Sequence, residues 1–385
     1  MSFRFNFGLG EDGECVAGAA GAADLGDEPS AGSGSAYVAP YERVPLTIPP
    51  VSSIVVDAIY YGDRRLWKRQ LDDVRFQLAQ QDAMDGSGGG AVQQAMATDS
   101  SAADVVKGVY EGGLKTWECS MDLLSYLVEH GDKMFASPTA PRVLEIGCGT
   151  GLPSLHILTS APGASVCMQD YNRDVLELVT IPNILANTAL APGNGAAGDT
   201  MHAGDDTETC EIDIDHRRTR ALFGDNIDQS IGQRELPELS SEEAQDADSR
   251  ILQVLDVSKR CECIAGDWAS VEAAMRGQGR AHTFDLIMTS ETIYDTASYP
   301  QLHSLFASLL TKPAPGPHQA SQQPPPMVLV AAKSVYFGLT GSVLSFEQFV
   351  RARGVFDIAR VWESGSSMGR EILRLTWGDS APGTA

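Results

Sequence analysis

Positive charge is scarce in this chain. Its 385 residues carry 28 Lys and Arg against 51 Asp and Glu, a formal charge of −23. That balance excludes a protein that holds nucleic acid through bulk charge, because phosphates would be repelled rather than neutralised. It leaves room for a basic protein or peptide as partner. Long apolar runs are missing too: a stretch such as 327–332 (MVLVAA) is far shorter than the roughly 20 residues that cross a bilayer. The N-terminus has no apolar segment followed by a small-residue cleavage site, so neither export nor membrane association is expected. The seven cysteines include no Cys-x-x-Cys. The close pair Cys261 and Cys263 would place both thiols on one face of a strand, which suits packing better than tetrahedral zinc. With an odd count as well, neither a metal site nor a disulfide framework is expected.

Hydrophobicity is also low in two acidic segments. Residues 1–50 hold two Arg against seven acids, and 193–250 hold five Arg against fifteen. Low hydrophobicity with like charge does not repay the entropy of ordering, so both read as largely disordered: a tail and an insertion. Residues 51–103 read as an accessory segment that ends in a flexible Gly/Ser/Ala/Gln-rich linker (85–101), and 313–326, with six Pro, as a loop. A main domain then runs over 104–380, interrupted at about 193–250.

Within that domain, short β-rich apolar runs fall at 142–146, 165–169, 261–265, 284–289 and 327–332. Helical patterns at 152–159, 173–187, 270–276 and 299–310 lie between several of them. Alternation of this kind predicts an α/β fold with a doubly wound, mostly parallel sheet. Residues 355–362 and 372–377 read as an antiparallel hairpin at the sheet edge. Before the first run, Ser120 is expected to cap a helix with Leu123, Leu124 and Leu127 on one face.

The first strand runs into Gly147-x-Gly149-x-Gly151, with Glu145 near its end. Glycine there lets the backbone turn sharply and approach a ligand, while the following helix offers free N–H groups. Dinucleotide sites use Gly-x-Gly-x-x-Gly instead. Asp170 follows the second strand, where a carboxylate can accept both hydroxyls of a ribose or can simply cap the next helix. After the third strand, Gly266-Asp267-Trp268 could meet an adenine through the carboxylate and indole; a core tryptophan is the other reading. In this order the three features suit S-adenosylmethionine better than a nicotinamide dinucleotide.

Taken together, GVYEGGLKTWECSMDLLSYL (108–127), VLEIGCGTGLP (143–153), QDYN (169–172), VTIPNILAN (179–187), GDW (266–268), DLIMTSETIYDTASYPQLHSLF (285–306) and AAKSVYFGLTGSV (331–343) resemble the histidine protein methyltransferase 1 family. So does the Phe-rich start at Met1, Phe3, Phe5, Asn6 and Phe7, and the likeness runs over 104–377. The resemblance implies a seven-strand Rossmann-like methyltransferase fold and S-adenosylmethionine as methyl donor. It also implies N-methylation of a protein histidine, with a large-subunit ribosomal protein as the target type. A monomer of the cytoplasm and nucleus is expected. The residues it implies for the donor are Thr116, Trp117, Glu118, Cys119, Ser120, Gly147, Gly149, Asp170, Tyr171, Asn172, Gly266, Asp267, Trp268 and Ser290, and Glu145, read from its place at the strand end, is a further donor-side candidate. The long acidic insertion and the Gly/Ala-rich tail depart from the family pattern.

Methyl transfer from a sulfonium is an in-line displacement, so the protein chiefly aligns reactants and excludes water. A histidine acceptor, with an ordinary pKa near 6.5, is mostly neutral at pH 7 and needs its tautomer fixed rather than a strong base. Glu291, after the fourth strand, is the candidate for that role. Tyr294 would share its side if the segment turns helically. His303 falls on a helix face and reads as packing. Two other functions fit the sequence: a protein-lysine methyltransferase, and a donor-binding chaperone of a basic ribosomal protein without turnover. Nucleobase methylation is disfavoured, because Thr289-Ser290-Glu291-Thr292 stands where an Asn/Asp-Pro-Pro-aromatic motif would be expected.

Overall fold

A computed structural model describes residues 39–47, 49–62, 64–85, 112–135, 140–190, 208–214, 257–313, 324–365 and 369–378. The Phe-rich start, most of the linker and the Pro-rich loop lie outside the described residues.

Eight strands form one sheet: β1 (Glu42–Val44), β4 (Arg142–Ile146), β5 (Ser165–Asp170), β7 (Cys261–Ala265), β8 (Leu286–Ser290), β9 (Met327–Lys333), β10 (Phe356–Glu363) and β11 (Arg370–Trp377). Their order is β1-β7-β5-β4-β8-β9-β11-β10. The central five are parallel, and β11 runs antiparallel between β9 and β10. Counted from β4 along the chain, the seven expected strands stand in the order 3-2-1-4-5-7-6. Every expected strand is present, and the hairpin lies at the edge.

The eighth strand corrects the sequence reading. β1 pairs antiparallel with β7 inside a stretch expected to be largely disordered, and Val44 is buried there. A second sheet, β3-β2-β6, is made by β2 (Ser53–Tyr61), β3 (Arg64–Arg69) and β6 (Thr209–Asp213). β6 arises from the first part of the acidic insertion. Its buried Cys210 and Ile212 pair with Val56 and Ile54. Around β6 a few apolar residues are diluted by acidic neighbours, and β1 ends a tail whose other acids all lie before residue 29, yet pairing needs only a few apolar residues.

Strand alternation sorts the core onto two faces. Val143, Met288 and Leu329 point to one cluster with Leu123, Leu127 and Leu155; Leu144, Ile287 and Val328 point to the other with Leu305 and Phe306. The first cluster also takes in Ile54, Val56, Leu66 and Trp67, so the accessory strands share the main domain's core. Helices α1 (Leu71–Asp85), α2 (Glu118–Met134), α3 (Leu152–Ser160), α6 (Trp268–Gly277), α7 (Tyr299–Leu309) and α8 (Val343–Arg353) complete the layers. Trp117, not Ser120, is the N-cap of α2, and Ser120 lies buried inside the first turn. His303 packs edge-on against Phe349 and Phe356, as expected of a core residue.

The segment read as a single helix over 173–187 is instead three pieces: α4 (Arg173–Val175), a π turn (Leu176–Thr180) and α5 (Ile181–Ala186). Pro182 has no N–H for the carbonyl of Leu178, four residues back, and its ring disfavours regular α geometry. Arg69 Nη1 takes that carbonyl at 2.8 Å. The buried guanidinium is completed by Asp73 Oδ2 at 2.6 Å and Gln77 Oε1 at 2.8 Å. Around this break, Thr180 Oγ1 donates to the carbonyl of Gly149 (2.6 Å), and Asn183 Nδ2 to that of Thr150 (2.9 Å). The irregular helix is thereby what holds the glycine loop.

Candidate functional site

A cavity of about 280 Å³ opens at the carboxyl ends of the parallel strands, where β4 gives way to β8 and the direction of winding reverses. Such reversal points are where open α/β sheets bind ligands. The glycine loop forms its floor, with Gly147, Gly149 and Gly151 all at positive φ (62°, 49° and 70°). A side chain at Gly149 would meet the carbonyl of Gly113 at 3.0 Å, so the loop and the 112–117 segment are packed backbone against backbone.

Asp170 closes β5 and is buried. Its Oδ2 accepts the Gly149 amide at 2.9 Å and its Oδ1 the Asn172 amide at 3.2 Å. The carboxylate therefore braces the loop and turns the chain into α4, so it does part of the capping work as well as facing the cavity. Asp267 is more committed: as N-cap of α6 it accepts the amides of Ala269 and Ser270 and the Ser270 hydroxyl, and Gln301 donates to it at 3.2 Å. Trp268 beside it is half-buried against the core and lines the cavity.

The opposite wall is built on the ends of β8 and β9. Thr289 ties β8 to β4 through the carbonyl of Ile146 and shares a hydrogen bond with Thr292, both at 2.8 Å. Between them Glu291 adopts φ +58°, left-handed backbone that a non-glycine residue enters at roughly 1–3 kcal/mol of strain. Its amide donates to the carbonyl of Ala331 at 2.9 Å, which holds the strained residue to β9. Its nearly buried carboxylate lies 3.8 Å from Lys333 Nζ and against the Cys119 thiol and the Tyr336 hydroxyl. Burial first, and the Glu291 charge second, push both of those groups up, so they stay protonated. Lys333 and Lys115 lie over the ring of Trp117 at 5.6 and 4.9 Å, and Trp117 Nε1 donates to the carbonyl of Gly112.

A family model described as lysine methyltransferase matches residues 97–206. A histidine protein methyltransferase 1 homolog from Rattus norvegicus is 31% identical over 279 residues, covering 72% of this chain and 60% of the relative. Histidine protein methyltransferase 1 of Schizosaccharomyces pombe is 30% identical over 315 residues, covering 80% of this chain and 75% of the relative. The chain belongs to the histidine protein methyltransferase 1 family. It spans about 60% of the length of the rat relative.

Of the residues that the family resemblance implied, Trp117, Ser120, Gly147, Gly149, Asp170, Tyr171, Asp267, Trp268 and Ser290 line the cavity, as do Glu291 and Tyr294. The rest stand behind it. Thr116 Oγ1 meets Thr150 Oγ1 at 3.2 Å, and Cys119 is buried under Glu291. Glu118 is more than half exposed and 3.8 Å from Lys333 and Arg370. Gly266, at φ +131°, lets the backbone of Pro40 pass, where a side chain would come within 2.6 Å. Glu145 is wholly buried; it accepts the Ser154 amide at 3.2 Å, and burial raises its carboxyl to about 7. Asn172 is held through its amide to Asp170.

The segment 291–294 is irregular, not helical, so Glu291 and Tyr294 reach one cavity by a different route from that expected. Gly341 makes this possible: its amide donates to the carbonyl of Tyr294, and a side chain there would overlap the carbonyl of Ile293. Sequence reasoning missed Lys333 and Tyr336, the groups that surround Glu291. Their signal was the polar end of an otherwise apolar strand, since Lys333 is the first charged residue after 327–332.

Proposed function

We propose that this chain is an S-adenosylmethionine-dependent protein-histidine N-methyltransferase acting on a basic large-subunit ribosomal protein. The observation that carries the reading is Glu291, a carboxylate in strained backbone across the cavity from the glycine loop. The donor fits the residues present. Three left-handed glycines leave a backbone cradle that side chains would fill, and among the described residues the buried Ser120 hydroxyl and Asn172 amide nitrogen lack partners. Ser120, which lines the cavity, would serve the amino-acid end. When bound, the donor supplies an electrophilic methyl group.

The chain's own residues handle the acceptor. Glu291 can accept the N–H of one imidazole nitrogen, which fixes the tautomer and leaves the other nitrogen's lone pair free. Tyr336, kept protonated by burial and by Glu291, steadies the carboxylate. Tyr294 and Tyr336 stand edge to face, ring centres 6.4 Å apart, and wall the acceptor side against water.

The lysine reading draws on the family model, which matches only 97–206 and so ends before Glu291 and Lys333. Both functions share that donor half. Incubating the full chain with labelled donor and total ribosomal protein separates the readings. Methyl-histidine, with a rate that levels off near pH 7, is expected. Methyl-lysine with a rate still climbing above pH 8 would favour the lysine enzyme, and no transfer would favour a binding scaffold.

A further inference from the structure

Lys333 closes β9 with its side chain about a quarter exposed, and it lines the cavity. Its ammonium lies 3.8 Å from both Glu291 Oε1 and Glu118 Oε2, and 5.6 Å from the Trp117 ring centre. The groups that face it are therefore two carboxylates, an indole, the protonated Cys119 and Tyr336, and a second ammonium, Lys115, over the same ring. Glu291 is nearly buried and Glu118 is largely in solvent, so Lys333 acts chiefly as the counter-ion of Glu291.

We propose that Lys333 is a specificity-determining residue: by occupying Glu291 as an internal counter-ion, it admits a neutral imidazole and turns away a lysine ammonium. The inference rests on the histidine methyltransferase reading and adds a reason for its selectivity. A lysine side chain, with an ordinary pKa near 10.4, arrives charged and needs a carboxylate to receive it. Here the carboxylate across the cavity is already neutralised, and an incoming ammonium would also meet the charge of Lys333 at short range. An imidazole, mostly uncharged at pH 7, meets no such repulsion. In the transfer itself the lone pair of one ring nitrogen forms the N–CH3 bond as the S–CH3 bond breaks. The proton on the other ring nitrogen is then released to Glu291 or solvent.

The test uses the full chain as wild type, Lys333→Met, Lys333→Gln and Lys333→Arg, with labelled S-adenosylmethionine and total ribosomal protein. Methyl-histidine and methyl-lysine are separated after acid hydrolysis, and donor affinity is measured alongside by calorimetry. Wild type and Lys333→Arg are expected to yield methyl-histidine. Lys333→Met and Lys333→Gln are expected to raise the methyl-lysine to methyl-histidine ratio at least about tenfold. An unchanged ratio in variants that bind donor overturns the inference, as does loss of transfer to both residues with donor affinity intact, which would make Lys333 part of the transfer machinery. If neither neutral variant binds donor, Lys333 is structural and the inference falls. A wild type that transfers no methyl to histidine instead brings down the functional reading itself.

Discussion

Glu291 and Asp170 are both carboxylates at strand ends, and the structure gives them different work. The Glu291 carboxylate is engaged by Lys333, Cys119 and Tyr336, so replacing it by Gln should leave donor affinity within about threefold while turnover falls at least about a hundredfold. Calorimetry and single-turnover assays check the split, and the reverse pattern would move Glu291 into the donor site. Asp170→Ala removes two charge-assisted hydrogen bonds that shape the glycine loop, so donor Kd should rise at least about tenfold. A fall in melting temperature should accompany it, since the loop loses its brace even without donor. Both acids were legible in the sequence from their place after a strand. Lys333 and Tyr336 were not, because nothing in the spacing says that β9 lies beside β8 and brings them to Glu291.

At the level of elements, the accessory strands and the donor loop are joined through single side chains. Arg69→Met would leave Asp73 with no counter-ion and the Leu178 carbonyl with no donor. A loss of about 3–5 kcal/mol in denaturant unfolding is expected. His156, on α3 with its ring edge-on to Tyr61 of β2, reports the same junction. Burial, helped by the positive charge of Arg64, lowers its pKa to about 4. The unfolded chain takes up this proton near pH 6.5 and the folded one only near 4, so the stability is intact above 6.5 and is lost as pH falls through that window. His156→Phe should flatten the fall in melting temperature between pH 7 and 5; an unchanged slope would assign the acid sensitivity elsewhere. The helix-to-strand alternation was readable in advance to within a residue or two. The π turn was not, although Pro182 marked the place, because what stabilises the break is an arginine from a strand over a hundred residues earlier.

For the whole molecule, charge and composition gave no sign of where the smaller sheet draws its strands. The insertion supplies β6, whose Ile212 is buried against the accessory strands. Removing 195–248 should therefore cost about 1.5–3 kcal/mol or more, the worth of one buried Ile side chain at the least. An unchanged unfolding midpoint after that deletion would mean that β6 carries no stability of its own.

The carbonyl that Pro182 leaves open and Arg69 fills has an evolutionary corollary. The dependence runs one way: an Ala at 182 would offer the oxygen an N–H and leave the guanidinium to Asp73 and Gln77, whereas an apolar residue at 69 beside Pro182 would strand the oxygen. Relatives that lose the arginine are thus expected to have lost the proline too, and such a covariation between a β-hairpin and a distant helix would be the historical trace of one missing N–H.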